Sequence, residues 1–365
     1  MPQRISLLVF GATGRMGKNR HLVESLLVLK KEGSALDITL VGRNFDKTAM
    51  LARELGCEVE PDLETSLKSG KFDIYFDCAP PQGRAQRIIF AINAGVNVYC
   101  EKPLATSMSD YIKLIHLSEK AGVITGVVAD KKYTPGFMSL QKLLEERVIG
   151  NILDVNCDFG YWVEPGTYGQ KLQRPSWNYI AAKGGSLIND IFSHWAYLLE
   201  MISPVVEVFS YTSTHVKVRF DESGEEYEVD VPDTAQVILK FKNSATGRVS
   251  TSWLSRPAKP FTVEIAGDIA SVRASSTSAN VTLSNGDNYD AVAKYAIKTE
   301  NEFYLQWKEF LQCISDNRQP TFNFKASTSG ALLVEGIERS ALNRVPVLIS
   351  DLREEFGISD SVSRM

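Results

Sequence analysis

Residues 5–17 read ISLLVFGATGRMG. The apolar run Ile5–Phe10 passes straight into glycines at 11, 14 and 17. Such a run predicts a buried strand, and the glycines predict a tight turn that opens a helix. Together they let the backbone approach a pyrophosphate closely and hold it at a helix N-terminus. This is the dinucleotide fingerprint in G-x-x-G-x-x-G spacing, not the commoner G-x-G-x-x-G. A glycine-rich turn without a ligand is the plain alternative. The context of first strand, glycines and helix favours the dinucleotide. Gly11, Ala12, Thr13, Gly14, Arg15, Met16 and Gly17 are therefore candidate cofactor contacts.

The chain continues as that motif requires. Further short apolar runs fall at Ile38–Val41, Phe72–Asp77, Val96–Cys100 and Val123–Ala129, separated by helical patterns. In SMSDYIKLIHLSEKAG, Met108, Tyr111, Ile112 and Ile115 follow helical spacing and Gly122 is a natural stop. Strand–helix alternation predicts an α/β Rossmann domain with a doubly wound parallel sheet over residues 1–130. From about residue 150 the texture becomes period two. In HVKVRF, Val216, Val218 and Phe220 are expected on one side, Lys217 and Arg219 on the other. Ser223-Gly224 and Asn285-Gly286 are hairpin signals. Residues 131–365 are therefore expected to form an α+β substrate-binding and oligomerisation domain with a large open, mostly antiparallel sheet. Helices are expected at 301–316 and 328–343, and can pack back on the first domain. The uncovered sheet face predicts a homodimer or homotetramer.

Composition excludes several function classes. The formal net charge is −4 and the pI about 5.8, so no nucleic-acid partner is expected. The five cysteines are scattered without a C-x-x-C pair, which implies neither a disulfide framework nor a metal site. No signal-peptide pattern or membrane-length apolar run is present, so a cytoplasmic enzyme without a membrane partner is expected.

The end of the second strand bears on the cofactor. NAD-binding versions place a carboxylate there for the ribose 2′-hydroxyl. Here ITLVGRN offers Arg43 and Asn44, and a guanidinium suits a 2′-phosphate, so NADP is favoured over NAD. Ala79, Pro80 and Pro81, after Phe72–Asp77, are further cofactor candidates. So are Glu101 and Lys102, which close Val96–Cys100 in NVYCEKPLA. By position alone, Lys102 reads equally well as a surface lysine.

A second constellation changes that balance. GGSLINDIFSH brings Asp190 and His194 to i, i+4 on a helix. An isolated pair of this kind is most simply a buried histidine satisfied by a carboxylate. Taken together, however, the glycine loop, Glu101-Lys102-Pro103 and G-G-S-x-x-x-D-x-x-x-H resemble the Gfo/Idh/MocA family in order, spacing and two-domain layout. The resemblance implies hydride transfer between NAD(P) and a hydroxyl or keto group of a sugar, polyol, inositol or sugar acid. It also implies that Lys102, Asp190 and His194 are catalytic. An imidazole titrates near working pH and suits general acid–base work, while Lys102 can stabilise the developing alkoxide or relay the proton. The segment between the motifs is rich in aromatic and basic residues that suit a carbohydrate pocket. Tyr161, Trp162, Tyr168, Arg174, Trp177, Tyr179 and Lys183 are candidates there, with Lys131 near the nicotinamide. A structured loop at an oligomer interface is the competing reading. Tyr179-x-x-x-Lys183 also raises a short-chain dehydrogenase reading. Gly184-Gly185 counts against it, since that motif needs a continuing helix. Transient oxidation in a NAD-dependent glycosidase, or a non-catalytic cofactor sensor, are the remaining alternatives.

Overall fold

The computed structural model describes residues 4–166 and 174–359. They divide into two compact units, one of residues 4–133 with 300–328, the other of residues 134–299 with 329–359.

The first unit is built on six parallel strands: β1 (Ile5–Phe10), β2 (Leu36–Val41), β3 (Glu58–Val59), β4 (Ile74–Asp77), β5 (Asn97–Cys100) and β6 (Thr125–Val127). Their order is β3-β2-β1-β4-β5-β6, so the winding reverses between β1 and β4. A ligand crevice forms at that point, beyond the carboxyl ends of the strands. The two-residue β3 is too short to leave a periodic signal in the sequence. The connecting helices are locally encoded. Helix Phe45–Leu55 starts on Asn44, whose side chain accepts from the Lys47 amide at 3.0 Å, and stops at Gly56 with φ +65°. Helix Met108–Ala121 starts on Ser107 and stops at Gly122, as expected. Its buried side is Met108, Tyr111, Leu114 and Ser118, a slight rotation from the predicted stripe. Helix Glu302–Ser315 contributes Phe303, Trp307, Phe310 and Leu311 to the same core as Leu7, Val9, Phe76 and Tyr99. Trp307 is wholly buried, and the Tyr99 and Phe310 rings stack at 4.5 Å. Burying each large apolar side chain contributes about 1.5–3 kcal/mol.

The second unit carries eleven strands: β7 (Ile152–Trp162), β8 (Val205–Ser213), β9 (Val218–Phe220), β10 (Glu226–Glu228), β11 (Thr234–Phe241), β12 (Thr246–Ser252), β13 (Leu254–Gly267), β14 (Ala270–Ser275), β15 (Ala279–Leu283), β16 (Asn288–Asp290) and β17 (Val347–Leu348). Nine form one sheet in the order β16-β15-β14-β13-β7-β12-β11-β8-β17, and β9 pairs with β10. All these pairings are antiparallel except β7 with β12. Alternation fixes the faces. Val237, Leu239, Val249, Val263 and Ile265 are buried, while Gln236, Ile238, Arg248 and Glu264 are exposed. Helix Ser193–Ile202 lies on the buried face, where the Trp195 indole donates to Thr251 Oγ1 at 3.0 Å.

One expectation fails here. Val218 is exposed and Arg219 is buried. The Arg219 guanidinium lies 4.1 Å from the Tyr179 ring centroid and donates to the main-chain oxygens of Val163 and Glu164. Those partners outweigh the alternation rule, which assumes that the charged side seeks water. Among the described residues, no helix is long and apolar enough to cross a membrane.

Candidate active site

In the first unit, the glycine loop sits where β1 ends. Gly11 has φ +90°, and a Cβ on it would lie 2.4 Å from the Ala79 nitrogen. A Cβ on Gly17 would lie 2.7 Å from the Gly11 oxygen. Both positions therefore demand glycine, because loop and helix pack directly on the turn after β4. A Cβ on Gly14 would meet only the Gly11 oxygen, at 3.4 Å, so the outer side of the loop stays open for close approach. The helix Met16–Leu26 that follows is of π type and continues as an α-helix to Lys31. The Lys18 amide donates back to the Gly14 oxygen at 2.8 Å, while the first amides of any helix start have no partner within the helix. A glycine cradle left open at Gly14, at the start of a helix, fits a pyrophosphate, so Gly11–Gly17 would hold a dinucleotide. Ala12 is buried, whereas Thr13 and Arg15 are exposed. A cavity of about 290 Å³ opens beside Arg15, Met16, Arg20 and Lys131. Lys131 is not a loose cation there, since its ammonium pairs with Asp130 at 2.6 Å. Burial alone would lower its pKa, but the Asp130 carboxylate raises it overall.

At the end of β2, Arg43 is exposed and Asn44 serves as the helix cap. Gly42 admits no side chain without a shift, because its Cβ would meet Thr48 Oγ1 at 2.6 Å. The turn after β4 leaves Pro80 exposed, with Ala79 and Pro81 buried.

The loop after β5 is gripped from inside. Its Lys102-Pro103 peptide is cis. Arg84 is 1% exposed, and its guanidinium donates to the main-chain oxygens of Glu101, at 2.7 Å, and Pro103. It also reaches Ala79 O and Asp77 Oδ1. Lys102 is thus bracketed by two carbonyls that share one arginine. Asp77 is itself held by Arg87 and by the Tyr75 hydroxyl. Glu101 is buried against His21.

In the second unit, Gly184 and Gly185 each have a separate job. Gly184 has φ +82° and ends the turn Ala181–Lys183. A Cβ on Gly185 would lie 2.4 Å from the Trp177 oxygen. The chain then enters a π-type turn, Ile188–Phe192, that runs into helix Ser193–Ile202. The expected single α-helix is therefore widened at Asp190, a feature often found at functional sites. Asp190 forms an ion pair with Arg174, and His194 Nδ1 lies 2.8 Å from the Tyr197 hydroxyl. The His194 ring meets Phe261 edge-on at 5.6 Å; Phe261 stacks on Phe159, which in turn meets Tyr161.

Tyr161, Arg174, Asp190 and His194 therefore share one region. Arg174 also lies 4.8 Å from the Trp253 ring, and Tyr179 meets Trp253 edge-on. Tyr179 is 3% exposed, and burial pushes its phenol up to about 12. The Tyr179 hydroxyl and Arg174 Nη1 are buried without a hydrogen-bond partner among the described residues. Trp162 points the other way along β7 and lies under the Arg256 guanidinium. Trp177 is half-buried, Lys183 is exposed, and Tyr168 lies outside the described residues. Tyr179 ends one short turn and Lys183 ends another, so no continuous helix carries Tyr-x-x-x-Lys. That removes the short-chain dehydrogenase reading.

Sequence reasoning missed His21, Arg84, Tyr197, Arg219 and Trp307. The signal available was weak. His21 is one of four histidines and follows Gly17 by one helical turn, but its partner Glu101 is 80 residues away.

A 3-2-1-4-5-6 sheet with a glycine cradle at its switch point defines a dinucleotide-binding protein. Residues 5–129 match the oxidoreductase family with an NAD-binding Rossmann fold, and residues 137–273 match the GFO/IDH/MocA C-terminal domain. The chain belongs to the Gfo/Idh/MocA oxidoreductases and is a nicotinamide-dependent enzyme of the dehydrogenase type. Among curated relatives, it is 33% identical to a D-xylose dehydrogenase of Paenarthrobacter nicotinovorans over 89% of this chain and 92% of that one. It is 22% identical to a myo-inositol 2-dehydrogenase of Thermotoga maritima over 84% and 89%. Among solved structures, levoglucosan dehydrogenase in complex with NADH and L-sorbose superposes with a TM-score of 0.84 at 19% identity, covering 95% of this chain and 99% of that one. That likeness shows the shared fold.

Proposed function

We propose that this enzyme is a sugar or polyol dehydrogenase that uses NADP in preference to NAD. Its substrate class spans sugars, polyols, inositols and sugar acids. Bound nicotinamide supplies the hydride acceptor or donor. The protein's own part is orientation and proton movement. Lys102, held at the carboxyl edge of β5, hydrogen-bonds the reacting oxygen. His194, oriented by Tyr197, takes or returns the hydroxyl proton. Asp190 keeps Arg174 in place and binds a substrate hydroxyl.

The observation that carries this reading is the pair of buried polar groups without partners beside Asp190, namely Arg174 Nη1 and the Tyr179 hydroxyl. Buried polar atoms are normally satisfied, and a ligand rich in hydroxyls would satisfy these. The ion pair with Asp190 already occupies the Arg174 charge, which favours a neutral sugar over a sugar acid. The NADP preference rests on the β2 end, where Arg43 is exposed and the packing at Gly42 opposes a carboxylate. The open sheet face of the second unit carries the exposed apolar residues Tyr211 and Ile238 with Phe209 between them, and a second copy of the chain is its proposed partner.

The test is a panel of pentoses, hexoses and inositols assayed for NADPH and NADH formation, with D-xylose first. Turnover of at least one is expected, with Lys102→Ala and His194→Ala each lowering kcat by about 10²-fold or more. Cofactor binding without turnover across the panel would favour transient oxidation or a sensor. Near-normal turnover in either variant would remove the acid–base assignment.

A further inference from the structure

Helix Met16–Leu26 carries His21 with no exposed surface. Its Nδ1 receives the Trp307 indole N–H at 3.0 Å, and its Nε2 lies 2.8 Å from Glu101 Oε1. An indole N–H can only donate, so Nδ1 accepts and the ring carries its proton on Nε2, aimed at the carboxylate. The Phe76 and Phe303 rings pack on the imidazole at 4.5 and 5.0 Å and hold its orientation. The other carboxylate oxygen, Glu101 Oε2, accepts the main-chain N–H of Lys102 at 3.2 Å. A buried path thus runs from Trp307 through His21 and Glu101 to the backbone of Lys102.

A buried polar pair kept only for stability has no need of this arrangement, since apolar replacements are often as stable. Here one oxygen of Glu101 is given to His21 and the other to the amide of the proposed catalytic lysine. If the imidazole proton were on Nδ1, two donors would face each other at Trp307 and two acceptors at Glu101. The indole therefore selects the tautomer that holds the carboxylate still.

We propose that His21 is a positioning residue. Through Glu101, with its tautomer set by Trp307, it fixes the backbone from which the Lys102 side chain projects. This rests on the role proposed above for Lys102.

The experiment uses the full chain and four variants, with hydrogen exchange and kinetics as separate readouts. In His21→Leu, the peptide spanning residues 97–104 is expected to exchange about tenfold or more faster, while β1 stays unchanged. In His21→Gln the side-chain amide still donates to Glu101, and exchange is expected to return to within about threefold of the parent. With D-xylose and NADP, His21→Leu is expected to lower kcat by about 10- to 100-fold at nearly constant KM for NADP. In a Lys102→Ala background the same change is expected to add less than about threefold. Unchanged exchange in 97–104, or a full further loss in the Lys102→Ala background, would overturn the proposal. If no sugar is turned over, the reading of function fails and the exchange measurement still decides this one. If His21→Leu does not fold, Trp307→Phe, which frees the tautomer, takes its place with the same expected directions. Parent-like exchange and kcat in that variant would overturn the proposal.

Discussion

The Arg84 guanidinium donates to the main-chain oxygen of Glu101 at 2.7 Å and, on the far side of Lys102, to that of Pro103. One buried side chain thereby sets both flanks of the proposed catalytic lysine. Arg84→Met leaves these carbonyls without their donor and removes a partner of buried Asp77. Removing one partner of a buried pair costs about 3–5 kcal/mol, and the Arg87–Asp77 contacts place this case at the low end. Chemical denaturation should show that loss, with kcat down about tenfold or more in protein that stays folded. Arg84→Lys should recover little, because an ammonium cannot span the fork.

The end of β2 makes a cofactor prediction. Arg43→Ala should weaken NADP binding by about tenfold or more and leave NAD nearly unchanged, as loss of a charge-assisted contact to a 2′-phosphate requires. Titration of both cofactors by fluorescence measures the ratio. Equal effects on both would remove the preference.

Tyr197→Phe removes the hydroxyl at His194 Nδ1 and leaves the ring in place. The hydroxyl helps to orient the imidazole, and its loss weakens that orientation. A fall in kcat of about 10- to 100-fold is expected, with a shift in the pH–rate profile and cofactor binding intact. A parent-like profile would separate Tyr197 from the chemistry.

Glu101 makes a prediction about pH. Burial raises its pKa, but the His21 hydrogen bond and the Lys102 charge bring it below the ordinary carboxylate value overall. A folded-state value below the unfolded one means the ionised group contributes stability above roughly pH 4.3, lost as pH falls through the folded value. Glu101→Gln lacks that contribution. The Tm gap between parent and variant should be widest near neutrality and close below roughly pH 4. A gap that widens in acid would reverse the assignment.

The open face of the nine-stranded sheet predicts association. Gel filtration at micromolar concentration should show a dimer or larger, and Ile238→Lys, a half-exposed site on β11, should shift it toward monomer. A clean monomer in the parent would remove the proposed pairing.

Local patterns were enough to read the parallel sheet, the glycine cradle, the hairpins at Ser223-Gly224 and Asn285-Gly286, and the helices at 301–316 and 328–343. Strand period, turn glycines and caps act within a few residues, so the sequence alone carries them. The motifs around Lys102, Asp190 and His194 were legible as a set through their family resemblance. What surrounds them was not. Arg219 lies on the charged side of an alternating strand yet is buried on Tyr179, and the partner of Arg174, Asp190, is named by no local pattern. Trp307 and His21, 286 positions apart, meet at 3.0 Å. Such pairings depend on which side chains the sheets bring within hydrogen-bond reach, and no periodicity encodes a partner that far along the chain. The sequence by itself determined that a dinucleotide fold would present a lysine at a strand end. Only the tertiary structure decided how that lysine's loop is held, because buried groups such as Arg84 and Glu101 take their hydrogen-bond partners from distant parts of the chain.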